Sequence, residues 1–455
     1  MSGPQREIPL VANTAEGDIA GNELLVNVFP EKSTGGKYPF TLKGSPGLPF
    51  FLDLPTMPVK GLYSVKNRCF AVTETKFYEV MKDGTSVELG DVDFTGRVKM
   101  VSNGIQVVAV DGFKGYYYDA SIGLVKQLTG DGWFPTRTVT YQDGYFLFER
   151  KDTGLYFISD LLSVFLNPLD FGSAEGQPDN ISAVLSDHRE VFLFGTDSIQ
   201  VVYNSGDSDF PFDVNQGAFV EKGLGAIYSV AKQNNTIYFV GSDLMVYQMN
   251  GYIPQRISSH AVEEDLKIAD LEDCFGYAYQ ELVHLFYVMT IPSINKTWCY
   301  DISTGAWHIR KDYLFGRHRS ECVVFFDKKT LVGDFQSGRI YEMTSSYLTD
   351  DDQPIIREFI LPTINNGREF LTISSFELDM TKGVTQGVDP IGTMQFSKDN
   401  GKTWSNEKFS TMGRLGEYLK RTKWNRLGAA RQFQLRVRIS APVPIDIGGA
   451  YLEVD

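Results

Sequence analysis

The chain has 455 residues, 42% of them apolar, and a formal charge of −14. That length suits one large domain with a smaller companion, and that apolar content excludes wholesale disorder. The acidic balance argues against a nucleic-acid binder whose whole surface tracks phosphate, while leaving room for a local basic patch.

In chain order, residues 1–58 come first and hold Pro4, Pro9, Pro30, Pro39, Pro46, Pro49, Pro55 and Pro58 with several glycines. That composition predicts an extended arm able to reach a neighbour. The N-terminus has no apolar core of a secretory signal, and no apolar run approaches the roughly 20 residues that cross a bilayer. Cys69, Cys274, Cys299 and Cys322 are scattered through apolar runs without metal-ligand spacing. They read as buried free thiols of a chain made in a reducing cytosol.

From 59 to 343 a two-strand unit recurs: turn, apolar strand, turn, aromatic strand. Its first strands centre on Phe70, Val107, Phe146, Phe192, Tyr238, Phe286 and Leu331, at gaps of 37, 39, 46, 46, 48 and 45 residues. Aromatic strands such as Tyr116-Tyr117-Tyr118 and Leu155-Tyr156-Phe157-Ile158 follow in step. A period of roughly 40 to 50 residues belongs to propeller blades, which pack face to face around a ring. The fold class is therefore all-β, a β-propeller of six or seven blades. One helix is predicted over 260–268, with Ser259 as N-cap and Glu263, Glu264 and Asp265 near its positive end. Trp298 and Trp307 flank the turn at 302–305 and are predicted to anchor one blade core.

The period stops after Met343. Residues 344–455 carry longer strands, 370–380 and 432–440, and are predicted to form a separate β-module. Here Ser397-Lys398-Asp399-Asn400-Gly401-Lys402-Thr403-Trp404 fits the Asp-box pattern S-x-D-x-G-x-T-W. Physically it is a turn device: Asp399 ties turn donors, Gly401 supplies positive φ, Trp404 packs the hairpin on its sheet, and Ser397 opens the motif. It supplies no catalytic group, and a glycosidase needs a carboxylate pair or an equivalent nucleophile. No nucleophile elbow, phosphate-cradling glycine loop or paired-histidine zinc motif occurs among His188, His260, His284, His308 and His318. The acidic loop Asp207-Ser208-Asp209 reads as solvated. No enzyme activity, cofactor or metal is expected.

Between Gly413 and Arg438 lie Arg414, Lys420, Arg421, Lys423, Arg426, Arg431, Arg436 and Arg438, against Glu417 alone. Eight cations in an acidic chain suggest either solvated strand faces or a contact with a protein partner or a DNA channel. Arg436 and Arg438 are two apart and share a strand face, a pattern that protects an edge strand.

Further motifs carry a family resemblance. They are Asp187-His188-Arg189-Glu190-Val191-Phe192-Leu193-Phe194-Gly195, then Asn204-Ser205-Gly206 and Phe210-Pro211-Phe212. Pro254-Gln255-Arg256-Ile257, Thr297-Trp298-Cys299-Tyr300-Asp301, Trp307-His308, the Asp box and Trp424-Asn425-Arg426-Leu427-Gly428 follow in order. From about Asn27 onward the chain resembles the packaged-DNA stabilisation proteins, the tail hubs of short-tailed bacteriophages. The resemblance implies a virion protein forming a sixfold ring below the portal and adaptor, prolonging the DNA channel and helping to retain the genome. It also implies a needle or plug at the distal opening and spikes or fibres around the ring. The competing reading is a sialidase-like carbohydrate-active or receptor-binding propeller, which carboxylates and arginines clustered at one propeller mouth would favour. A WD-repeat scaffold lacks its W-D and G-H signatures here.

Overall fold

The computed structural model describes residues 5–454 except 12, 15–22, 34, 175, 177–178, 368 and 384–388. Pro4 and the remainder of the first four residues lie outside the described set.

Seven four-stranded antiparallel blades form the propeller. Blades one to five span 59–91, 99–127, 139–173, 181–214 and 231–256. Blade six spans 275–310. Blade seven takes three strands from 320–342 and its fourth from Phe50–Asp53. The recurring apolar centres are the second strands of the blades. Phe70, Val107, Phe146, Phe192, Tyr238, Phe286 and Leu331 are all buried. The reason is geometric: a middle strand is covered on both faces by adjacent blades, so it reads as a continuous apolar run. Outer strands such as Ser86–Asp91 and Leu124–Gln127 are half-solvated and lack that signature.

The segment predicted as an arm is folded back onto its own chain. Gln5–Ile8 pairs with Asp446–Val454, and Val28–Lys32 pairs with Phe40–Gly44 in the same sheet. Pro30 sits in Val28–Lys32, the terminal strand of that path, where its missing N–H costs no ladder bond. Phe50–Asp53 closes the propeller by pairing with Arg339–Glu342. The arm thus divides between the two domains.

The C-terminal module is two facing sheets. One contains Val28–Lys32, Phe40–Gly44, Asp446–Val454, Leu371–Met380 and Thr422–Ala430. The other contains Leu24–Val26, Arg357–Ile360, Gln432–Ile439, Ile391–Ser397 and Lys408–Thr411. Leu25, Phe376, Trp424, Leu435, Val437 and Leu452 belong to their shared core. The second sheet runs on into blade six, because Val26 pairs in parallel with Ile309, making one ten-stranded sheet. Asn27, at φ 54°, fastens this junction. Its amide donates to the carbonyls of Lys311 (2.8 Å) and Ile356 (2.9 Å) and accepts the Lys311 N–H (2.9 Å).

The helix spans His260–Ile268 as predicted, but the Ser259 side chain makes no capping bond. Glu263 instead turns back to Arg256, with two contacts of 2.7 Å, and to Ser258 (2.6 Å). Trp298 and Trp307 are buried in blade six, edge to face at 6.2 Å. Each indole N–H is satisfied, by Asp265 and by the Ile257 carbonyl, both at 2.7 Å. All four cysteines are free; three are buried and Cys322 is half-buried. Burial pushes the Cys69, Cys274 and Cys299 thiols up to about 12, which leaves them poor nucleophiles. No helix among the described residues is long and apolar enough to cross a membrane.

Candidate functional site

The Asp box forms the turn leading out of Ile391–Ser397. The Asp399 carboxylate accepts the Thr403 backbone N–H (2.8 Å) and hydroxyl (2.6 Å) and the Ser397 hydroxyl (2.7 Å). Ser397 Oγ in turn accepts the Gly401 N–H at 2.8 Å. Gly401 sits at φ 83°, where a Cβ would be strained. The Thr403 bonds hold the Asp399 carboxyl down to about 2. Trp404 is half-buried, with the Arg436 guanidinium 4.3 Å from its ring centroid. The Ser397, Asp399 and Thr403 side chains are thus spent on building the turn.

The structure separates the basic run onto both sheets and a connecting loop. Arg421 is paired with Glu377, and Lys423 with Glu453 at 2.9 Å. Arg438 meets Glu358 at 2.7 Å, and Arg436 donates to Gln395. The Arg431 guanidinium lies 5.3 Å from the Phe370 ring centroid. The side chains of Arg414, Lys420 and Arg426 have no carboxylate, amide or ring partner among the described residues, so these three are the cations left for a partner. Arg436 and Arg438 do share one face, with Leu435 and Val437 buried on the other. Their strand, however, is interior, paired to Arg357–Ile360 on one side and Ile391–Ser397 on the other. The two arginines therefore decorate the solvent face of a central strand, and the edge-protection reading is corrected.

Charges do gather at one propeller mouth, around a cavity of about 370 Å³ lined by Lys60, Arg97, Asp111, Arg137, Asp273 and Glu321 among others. Most already have partners of their own. Arg97 pairs with Glu321 at 2.8 Å and stacks 3.7 Å above the Phe275 ring. Arg137 meets the buried Glu149 at 3.1 Å. Asp111 accepts four backbone N–H groups at 2.7–3.1 Å. Burial raises the Asp273 carboxyl above the usual range. The arginines at this mouth are thus neutralised in place, whereas a sialidase keeps its cluster free to grip a substrate carboxylate. Among the described residues no group of three or more His, Cys, Asp or Glu side chains could hold a metal ion.

Further into the central channel the open space shrinks to about 150 Å³, beside Arg97, Lys99, Tyr277 and Glu321. Sequence reasoning missed this lining because it comes from four different blades and meets only when the ring closes.

Two family models match in succession. The bacteriophage P22 Gp10 β-propeller matches residues 7–347, and the bacteriophage P22 Gp10 β-sandwich matches residues 356–455. No curated protein matches. Among solved structures, virginiamycin B lyase from Staphylococcus aureus is 11% identical, covering 64% of this chain and 97% of its own, at a TM-score of 0.45. BamB from Moraxella catarrhalis is 8% identical, covering 76% and 97%, at 0.42. The Neurospora crassa Pan2 WD40 domain is 7% identical, covering 66% and 96%, at 0.44.

Proposed function

The chain belongs to the bacteriophage P22 Gp10 family of tail proteins, and on that premise we propose that it is the hub of a short phage tail. In this reading six copies form a ring below the portal and adaptor, prolong the DNA channel and help to hold the packaged genome. A needle or plug closes the far opening, and spikes or fibres attach around the ring. The protein is made in the host cytoplasm, ends in the virion tail and performs no catalysis.

The observation that carries the reading is the match of both domains, in order, to one tail-protein family. Physical features support it. Arg97, Lys99, Tyr277 and Glu321 crowd the centre of the propeller, so in this reading DNA travels between copies and not through one. A net charge of −14 suits a conduit past which a polyanion slides without sticking. The continuous ten-stranded sheet makes propeller and sandwich one stiff unit, as a load-bearing ring requires.

Electron microscopy of the purified protein, alone and with a portal–adaptor complex, tests the proposal. Sixfold rings with an open lumen, seated on the adaptor, are expected. A protein that stays monomeric and never joins the adaptor would sink it, as would turnover of sialosides by contaminant-free protein.

A further inference from the structure

We propose that copies of this chain meet head to tail, the sandwich loop at 413–421 of one copy seating in the groove between blades two and three of the next. This rests on the ring reading above and names the surfaces that build it.

The groove lies beside an open sheet edge. Among the described residues, the outer strand of blade three, Leu166–Ser173, pairs with Leu155–Ser159. Leu169, 78% exposed, lies in the register shift of this strand, and the exposed Phe171 follows it. Phe165 just before the strand is exposed, as are Ile122 and Leu124 of blade two. Between the two blades runs a cleft of about 540 Å³ walled by Phe165, Pro168 and Leu128. An uncovered apolar edge is what β-proteins avoid unless something covers it. Asp131, Asp160 and Asp170 belong to the same two-blade region, and their carboxylates have no cation partner among the described residues.

The loop offers the complementary chemistry. Leu419 is 96% exposed, and Leu415 and Tyr418 are exposed beside it. Arg414 and Lys420 bring the unpaired cations. The loop is held in shape: Met412 N–H bonds the Pro390 carbonyl (2.8 Å), and Gly413 N–H bonds Asp389 (2.9 Å). Gly413 and Gly416 turn it at φ 89° and 93°. An apolar knob with two free cations thus meets a mixed polar and apolar cleft that has Asp131 in its wall and Asp160 and Asp170 on the blade beside it.

Position identifies the occupant as a second copy. The sandwich grows from blade six, and blade three lies three blades away in one direction and four in the other around the ring of seven. The sandwich that carries the knob therefore joins the ring on the side opposite the groove. Such a pair makes a heterologous contact, which closes into a ring when the rotation allows.

Cysteine pairing tests this. Leu419→Cys and Leu169→Cys chains, mixed under mild oxidation, should cross-link with each other and not with themselves. A chain carrying both changes should give a ladder ending at the closed ring. Leu419→Asp should lower the assembled fraction at least tenfold with an unchanged melting temperature. If wild-type rings form while the cysteines fail to link and Leu419→Asp assembles normally, the contact is wrong and the ring stands. If the wild type never assembles, even with portal and adaptor, the contact and the ring fall together. Rings of Leu419→Asp that lose only a spike or fibre protein would assign the loop to that protein and overturn the proposal.

Discussion

Blades six and three share one topology and treat their outer edges in opposite ways. In blade six the outer strand Ala306–Arg310 is buried along its whole length, because Leu24–Val26 runs beside it. In blade three the outer strand Leu166–Ser173 keeps only Leu166 buried. The first edge is completed inside the chain by a tryptophan pair, a helix and an asparagine staple. The second carries comparable apolar side chains and is left open. An edge covered within one copy is a matter of stability, whereas an edge left apolar and bare is a matter of assembly.

That division can be broken by mutation. The largest effect is expected inside the covered edge. Trp307→Ala should cost about 3–5 kcal/mol of unfolding free energy in denaturant titration, since it empties a core site and orphans the Ile257 carbonyl. An unchanged midpoint would remove the anchor role. Asn27→Ala should cost about 1–3 kcal/mol, because the Lys311 and Ile356 carbonyls lose buried donors. Asn27→Gly keeps the positive φ without strain and so isolates the hydrogen bonds from the backbone term.

Acid should act on the core shared by blades six and seven. His318 is buried, its pKa drawn down to about 3 by burial first and then by Arg310 and Arg319. The unfolded chain takes a proton below about 6.5 and the fold does not, so stability falls as pH drops from 6.5 toward 3. For His318 alone the loss is about 2 kcal/mol by pH 5. Asp350 works the other way: burial raises its carboxyl to about 7, so it adds stability as pH falls from 7 to 4. The readout is therefore the difference between wild type and His318→Gln across pH 7 to 5, which should narrow as the pH falls. Two parallel curves would count against the buried neutral imidazole.

Smaller still is Asp399→Ala in the exposed Asp-box turn. Its folded carboxyl is depressed, so the stability it gives is present above pH 4 and fades toward pH 2. The variant should melt slightly below wild type at pH 7 and together with it at pH 2. The smallest change is expected on the open edge: Leu169→Ser should leave the melting temperature within error. A drop of several degrees would mean that this edge already serves the monomer.

The blades were legible because their middle strands are buried on both faces and leave unbroken apolar runs, as at Val191-Phe192-Leu193-Phe194. Trp298 and Trp307 were legible for the same reason, bracketing a tight turn. The fate of the first 58 residues was not. Leu52 pairs with Ile340 and Val26 with Ile309, and pairing at such separations leaves no local pattern. The basic run was legible as a cluster and misleading as a surface. Arg421 and Lys423 meet Glu377 and Glu453, which lie far away in sequence. Reversing Lys420, Arg421 and Lys423 together would set glutamates against those carboxylates. Lys420→Glu alone is the cleaner probe of docking.

The strand that completes blade seven also sets a timetable. Phe50–Asp53 finds its partner only after residue 342 has been made, 289 residues after Asp53. At about 5–20 residues per second, the apolar strand waits roughly 15–60 s on the ribosome before the ring can shut. Closure over so long a loop is slow, and until it happens two sheet edges stay available to neighbouring nascent chains. Phe50 and Leu52 are therefore where the chain is most exposed to exchanging strands with its neighbours. Slower translation should widen that window, and an aggregate built by such exchange would be held together at blade seven.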